Sequence, residues 1–271
     1  MSKIQKPLAG HCRRIHSTIM ARKHSMKGWA VLFWLAIWQL GSMWIQQEIL
    51  LVSPVVVCRR LMELIGEWSF WQSIWFSGCR IFGGFFLAGC LGIAAAVCSA
   101  KYVIVRDLLA PFMAAVKTTP VASFVILALF WLSSSQLSIF ISFLMVFPIV
   151  YNNVLQGILQ ADRQLWEMGQ VFGLGFRKKV KYLYFPQMFP YLRSACAVGM
   201  GLCWKAGTAA EVIGIPDGSI GERLQEAKIY LQMPDLFAWT VTIICISIVF
   251  EKAILAALDG LDRKNKRGSG K

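Results

Sequence analysis

With 271 residues, 57% of them hydrophobic, only 15% charged and a mean hydropathy of +0.57, the chain is too apolar for an ordinary soluble domain, where about a quarter of residues carry charge. A net charge of +14 would suit a nucleic-acid binder, or a membrane protein whose basic residues gather on the cytoplasmic side, and the two readings separate on where the charges fall. Eight cysteines form no Cys-x-x-Cys pair and most lie in apolar runs, which favours small buried side chains over a metal site or a disulfide framework.

Residues 1–28 form a basic tail holding Lys3, Lys6, Arg13, Arg14, Arg22, Lys23 and Lys27 and no acid. The first apolar run, 29–45, follows without a small-residue cleavage pattern and reads as an uncleaved signal-anchor span. Trp29, Trp34, Trp38 and Trp44 along it suit interface anchoring or helix packing. Residues 46–72 are a mixed external connection, with a short amphipathic helix from Val55 to Trp68 opened by Ser53-Pro54. The second span, 73–98, is punctuated by Gly78, Gly83, Gly84, Gly89 and Gly92, which let helices approach closely in lipid.

Lys101 and Arg106 mark a short cytoplasmic turn before the third span, 108–132. Near the middle of that span Pro120 ends the run Lys117-Thr118-Thr119-Pro120 and is expected to kink it. The fourth span is 137–157, with Pro148 and Asn152-Asn153 towards its inner end. Residues 162–186 are the longest polar interruption between strongly apolar segments. Asp162 is placed to cap a helix running through Leu165 to Phe172. Gly173-Leu174-Gly175 breaks it, and a second short helix, Phe176 to Tyr184, carries Arg177, Lys178, Lys179 and Lys181. The fifth span is 191–213. A connection from Gly214 to Pro234 contains the turn signal Ile215-Pro216-Asp217-Gly218, and the sixth span, 235–258, leads to a basic tail, 259–271.

The expected fold is an all-α membrane protein of six transmembrane helices with both termini cytoplasmic and a helix-turn-helix hung between spans four and five. In that topology, with Arg193 and Lys252 at the inner ends of their spans counted as inside, 21 Lys and Arg fall inside and four outside, a strong positive-inside bias that accounts for the +14 without nucleic acid.

The interruption carries a recognisable spacing: Glu167, then Gly173, then Leu183, Phe185 and Pro186. It resembles the cytoplasmic loop motif of permease subunits of bacterial ATP-binding-cassette importers, Glu-Ala-Ala, three residues, Gly, nine residues, Ile-x-Leu-Pro. Met168 and Gly169 depart from the two alanines. The likeness covers about residues 70–260. It is nearest to the branch importing sulfonates, taurine and nitrate, on Arg80, the Lys117–Pro120 segment and Ala209-Ala210-Glu211-Val212-Ile213-Gly214. The resemblance implies a multi-pass protein of the bacterial inner membrane. It also implies a homodimer of permeases, two cytoplasmic ATPase subunits that bind ATP and Mg, and an external binding protein from which specificity mainly comes. Glu167, Val171, Phe172, Gly173, Leu174, Phe176 and Pro186 are then the ATPase-coupling residues, the apolar ones filling a groove of the partner. This chain has no Gly-x-x-x-x-Gly-Lys-Ser/Thr loop and is read as a non-catalytic subunit without cofactor or metal of its own.

Arg80, Lys117 and Lys205 lie within spans, where each charge costs about 2.5–3.5 kcal/mol on insertion scales. Lys117 and Lys205, with Thr118, Thr119 and Thr208, are the candidates for a translocation path attractive to a small anion. The alternatives are a structural pair between Lys205 and Glu211, Arg80 snorkelling outward, and threonines bonded to their own helices. Glu211 is placed to bind the external connection or a partner. A neutral or aromatic solute such as a vitamin precursor, or a non-transporting scaffold or sensor, are the other functions considered. An intramembrane enzyme is disfavoured because His11, His16 and His24 all lie in the tail.

Overall fold

The structure is a computed structural model describing residues 28–47, 50–161, 164, 167, 168, 171, 173, 175 and 184–269, with 264–269 by backbone alone. The basic N-terminal tail, Asp162 and the lysine-rich half of the 162–186 loop lie outside the described residues. The chain divides into two compact units, residues 1–54 and 55–271. All regular structure among the described residues is helical.

In the first unit, α1 (Gly28–Ile45) buries no residue, and Trp29, Trp34 and Trp44 are exposed. It ends where Gln46 turns to φ +53° and Ser42 Oγ donates to Leu51 O at 3.2 Å.

The second unit contains α2 (Pro54–Ile65, all but its first residue), α3 (Trp68–Lys101), α4 (Val103–Thr118), α5 (Val121–Ala128), α6 (Ser134–Leu159), α7 (Phe185–Gly214), α8 (Ile220–Ile229) and α9 (Met233–Ser269). α6 is its axis, packed along its length against α3 and α7. Leu137, Ile141, Val146, Val150 and Val154 of α6 are fully buried, with Ile81 of α3 and Met200 and Trp204 of α7. The α3–α6 approach depends on Gly84: a Cβ there would stand 2.4 Å from Ile139 O and 2.7 Å from Ser142 Cβ. By contrast Gly78, Gly83 and Gly89 meet no neighbour within 4 Å, so few of the glycines that punctuate α3 serve this contact. Phe82, Phe250 and Trp204 form an aromatic run joining α3, α9 and α7, with ring centroids 4.7 and 5.5 Å apart.

Among the described residues, four helices are long and apolar enough to cross a membrane: α1, α3, α6 and α9 over Met233–Arg263. The pair α4 and α5 makes a fifth if counted as one span, but the two meet at 104°. The region expected as one kinked span, 108–132, is thus two helices. Thr119 before the proline and Pro120 itself both adopt extended backbone, ψ 132° and 137°, so two consecutive residues leave the helix and Pro120 offers no N–H to rejoin it. Lys117 consequently stands in the last turn of α4, at the break, instead of mid-span. α7, with 30 residues, is about 45 Å long. It carries Lys205 and Glu211 and is less apolar than the four.

The 214–234 connection, expected as a turn and linker, holds a helix, α8. Its start is capped by side chains: Ser219 Oγ accepts from Glu222 N at 2.9 Å, and Glu222 Oε2 reaches back past the cap to accept from Gly218 N, a capping box displaced by one residue. Ser219→Ala is expected to cost about 1 kcal/mol, read as a small drop in the Tm of the detergent-solubilised protein.

Candidate functional site

Three regions of the second unit carry the residues singled out above. The first is the loop between α6 and α7. Gln164, Glu167, Met168 and Val171 have helical backbone, and Met168 and Val171 are exposed, Val171 by 85%. Gly173 has φ +62°, a left-handed conformation that a glycine takes without steric cost, and a Cβ there would meet nothing within 4 Å. Gly173 is therefore a turn in the backbone, with open space around it. Phe172, Leu174 and Phe176 lie outside the described residues. Pro186 sits in the first turn of α7, where a missing N–H costs nothing.

The base of the loop is braced. Tyr191 of α7 packs on α6 at Gly157, where a Cβ would stand 3.0 Å from its ring, and its hydroxyl donates to Gln160 Oε1. Two residues on, Arg193 makes a bidentate pair with Asp259 of α9, 2.8 and 3.2 Å, joining α7 to α9 at the same level. Any force on the loop is delivered to α6 and α7, which are the core of the unit.

The second region is the opposite end of α7. Glu211 is 0% exposed. Its Oε2 accepts from Ser77 Oγ of α3 at 2.6 Å and from Gly221 N of α8 at 3.4 Å. Glu211 thus binds the 214–234 connection, one of its two expected roles. It makes no salt bridge with Lys205; the described ion pairs of the unit lie elsewhere. Arg80, half-buried, lays its guanidinium over the Phe76 ring at 3.6 Å. α7 is closed by Ile215 at φ +46°, a left-handed branched residue that costs roughly 1–2 kcal/mol and turns the chain back onto the bundle. On the outer side of α8, Arg60 of α2 forms a bidentate pair with Asp235 at the start of α9 and also binds Glu63 Oε2 at 2.9 Å. These bonds, Asp235 first, hold its guanidinium pKa above the ordinary arginine value.

The third region is the candidate path. Lys205 is exposed, on an outward stripe of α7 with Val198, Leu202 and Ala209. Thr208, three residues on, faces inward and donates to Trp204 O at 2.7 Å. Thr118 and Thr119 are on or beside the α4–α5 break and donate to Ala114 O and Ala115 O at 3.1 and 2.8 Å. All three hydroxyls therefore give their proton to their own helix, leaving oxygen lone pairs as their remaining polar capacity. Lys117 is exposed at the break. Beyond it, Val125 and Ala128 of α5 join the cluster that contains Ala206 and Ala210, the inward neighbours of Lys205 on α7.

The family described as binding-protein-dependent transport system inner membrane component matches residues 88–267, about two thirds of the chain and all of it within the second unit. This chain is a member of that family. It is a multi-pass inner-membrane permease of an ATP-binding-cassette importer. A Brucella melitensis protein named as an ABC transporter permease is 27% identical to it over 77% of this chain and 85% of the relative. The taurine transport system permease protein of Escherichia coli is 23% identical over 81% and 82%. A Bacillus subtilis permease named for aliphatic sulfonates transport is 24% identical over 75% and 74%.

In this permease, sequence reasoning located the loop and the lysines and placed Glu211 against the 214–234 connection, but missed Ser77 as its partner and the helical form of that connection, α8. Ser77 gives no sign, being one serine in an apolar run 134 residues away. For α8 a signal existed: Ser219-Ile220-Gly221-Glu222 is the capping-box pattern at a helix start.

Proposed function

We infer that this permease forms the translocation path for a small anionic solute of the sulfonate, taurine or nitrate kind. α7 and the broken α4–α5 pair complete six crossings, both termini are cytoplasmic, and a second copy of the chain lines the other side of the path. The 162–186 loop docks in a groove of the cytoplasmic ATPase, which binds ATP and Mg, and an external binding protein delivers the solute to the α8 end.

The observation that carries the anionic reading is Lys205, an exposed ammonium in an otherwise apolar stripe of a long helix. Such a charge in a spanning segment persists where it faces water, a partner or a solute. Lys117, exposed where the broken span turns, is a second such charge, and helix breaks at membrane depth are tolerated where they line a cavity. The taurine and sulfonate permeases among the relatives support the same solute class.

The test is uptake into proteoliposomes holding the complete importer. Lys117→Met and Lys205→Met are each expected to lower taurine or alkanesulfonate uptake at least tenfold, roughly 1.4 kcal/mol per lost contact. Wild-type rates in the double variant would refute the anionic path and favour a neutral solute.

A further inference from the structure

The end of the bundle farthest from the loop is held together by one carboxylate. Glu211, on the last turn of α7, reaches α3 through Ser77 and α8 through Gly221 N. Ser77 Oγ itself accepts from Ile220 N at 2.9 Å. Two of the N–H groups in the first turn of α8 are therefore satisfied by side chains of α7 and α3, where a helix start ordinarily uses its own cap or water. The contact is as close as backbone allows. A Cβ on Gly221 would lie 2.3 Å from Glu211 Cβ and 2.5 Å from Val212 N.

A second set of partners waits beside the first. Glu211 Oε1, Ser138 Oγ and Arg80 Nη1 are all buried and make no hydrogen bond. Arg80 stands three residues after Ser77 on α3 and lays its guanidinium back over Phe76, beside Ser77, and Ser138 is on α6. A fully buried carboxylate with one oxygen satisfied is costly, and an apolar residue of similar size would close the same gap without that cost. The seated state is also strained, since Ile215 is held in the left-handed region to bring α8 back onto α7. A strained seat with one engaged oxygen, one unbonded oxygen and a neighbouring cation that stacks on Phe76 with Nη1 unbonded has the make-up of an element with two positions.

We propose that Glu211 is a positioning residue for transport. With Oε2 on Ser77 and Gly221 it clamps α8 over the end of the bundle. When α8 lifts, the carboxylate turns from Ser77 and Gly221 to the Arg80 guanidinium, and the end opens. The charge of Glu211 is needed for the second position, whereas its acceptor oxygen suffices for the first. The proposal rests on the reading that α8 faces the side from which solute arrives.

The experiment uses the assembled importer in membrane vesicles with Ala227→Cys as reporter, because Ala227 is on the buried side of α8. An impermeant maleimide is added from the α8 side and modification at residue 227 is read by site-resolved mass spectrometry. Labelling is expected to be slow in the otherwise wild-type protein and at least about tenfold faster with Glu211→Ala. It should stay slow with Glu211→Gln and with Arg80→Met, because the clamp needs neither the charge nor Arg80. Solute and ATP, which drive opening in the wild type, should raise its labelling and leave Glu211→Gln and Arg80→Met unchanged, with uptake lost in both. Labelling of Glu211→Ala at the wild-type rate would overturn the clamp. Full uptake by Glu211→Gln would overturn the second position, even if Glu211→Ala fails to fold. The resting labelling needs no solute, so it succeeds or fails independently of the anionic reading.

Discussion

Gly173→Asp is expected to leave the permease folded and inserted while abolishing its association with the ATPase and, with it, uptake. The backbone there is left-handed at φ +62°, and no atom stands within 4 Å of where a Cβ would lie, so the substitution meets no clash inside this chain. Aspartate also tolerates that conformation better than most residues, so the loss would report a charge placed on a docking surface. Gly173→Val separates the two causes. A branched residue is a steric outlier at positive φ and costs roughly 1–3 kcal/mol of local geometry, carried by a segment whose Val171 is 85% exposed. It is expected to weaken association by shifting the turn, again without unfolding the bundle. Co-purification with the ATPase and uptake are measured together with the Tm of the solubilised permease. An unchanged Tm with lost co-purification supports docking by the loop; unimpaired uptake in Gly173→Asp would sink it.

Gly84→Leu is expected to have the largest effect on folding. Even the Cβ of this side chain would stand 2.4 Å from Ile139 O, and a main-chain carbonyl of a packed helix cannot turn aside as a side chain could. α3 and α6 must separate along the contact on which the core is built, with Ile81, Ile141 and Val146 losing their packing. Overpacking of a dense core costs about 1–3 kcal/mol or more, and in a membrane bundle close packing is itself the main attraction between helices. A drop in Tm or in the yield of monodisperse protein checks it. Gly83→Ala, one residue away and facing open space, is expected to change stability by less than about 0.5 kcal/mol. Equal effects from the two glycines would contradict the α3–α6 contact.

Much of the bundle was legible before any coordinates, for local reasons. Runs of apolar residues bounded by charge mark helices at 28–45, 68–101, 134–159, 185–214 and 233–269, each overlapping an expected span, because hydrophobic length is a property of the segment itself. Pro120 announced a disturbance, but its size depended on Thr119 also leaving the helix, and 104° is far more than a proline kink requires. The loop spacing from Glu167 to Pro186 could be matched to the family's loop motif because it is a pattern of neighbours in the chain.

The membrane class and the positions of the long helices were therefore settled by composition and periodicity, which act over a few turns of chain, while the Glu167–Pro186 spacing was read from its resemblance to a family motif. Tertiary structure alone decided which glycines of α3 carry the packing, Gly84 and Gly92 but not Gly83, since Gly83 and Gly84 differ only in the side of the helix they face. It also decided the fate of Glu211. A carboxylate near the end of an apolar helix could have met lipid headgroups, Lys205 or a partner. It meets Ser77 and Gly221, which lie 134 residues before it and ten residues after it. Hydrogen bonds of that span exist only once α3, α7 and α8 have been brought side by side by the burial of α6 between its neighbours.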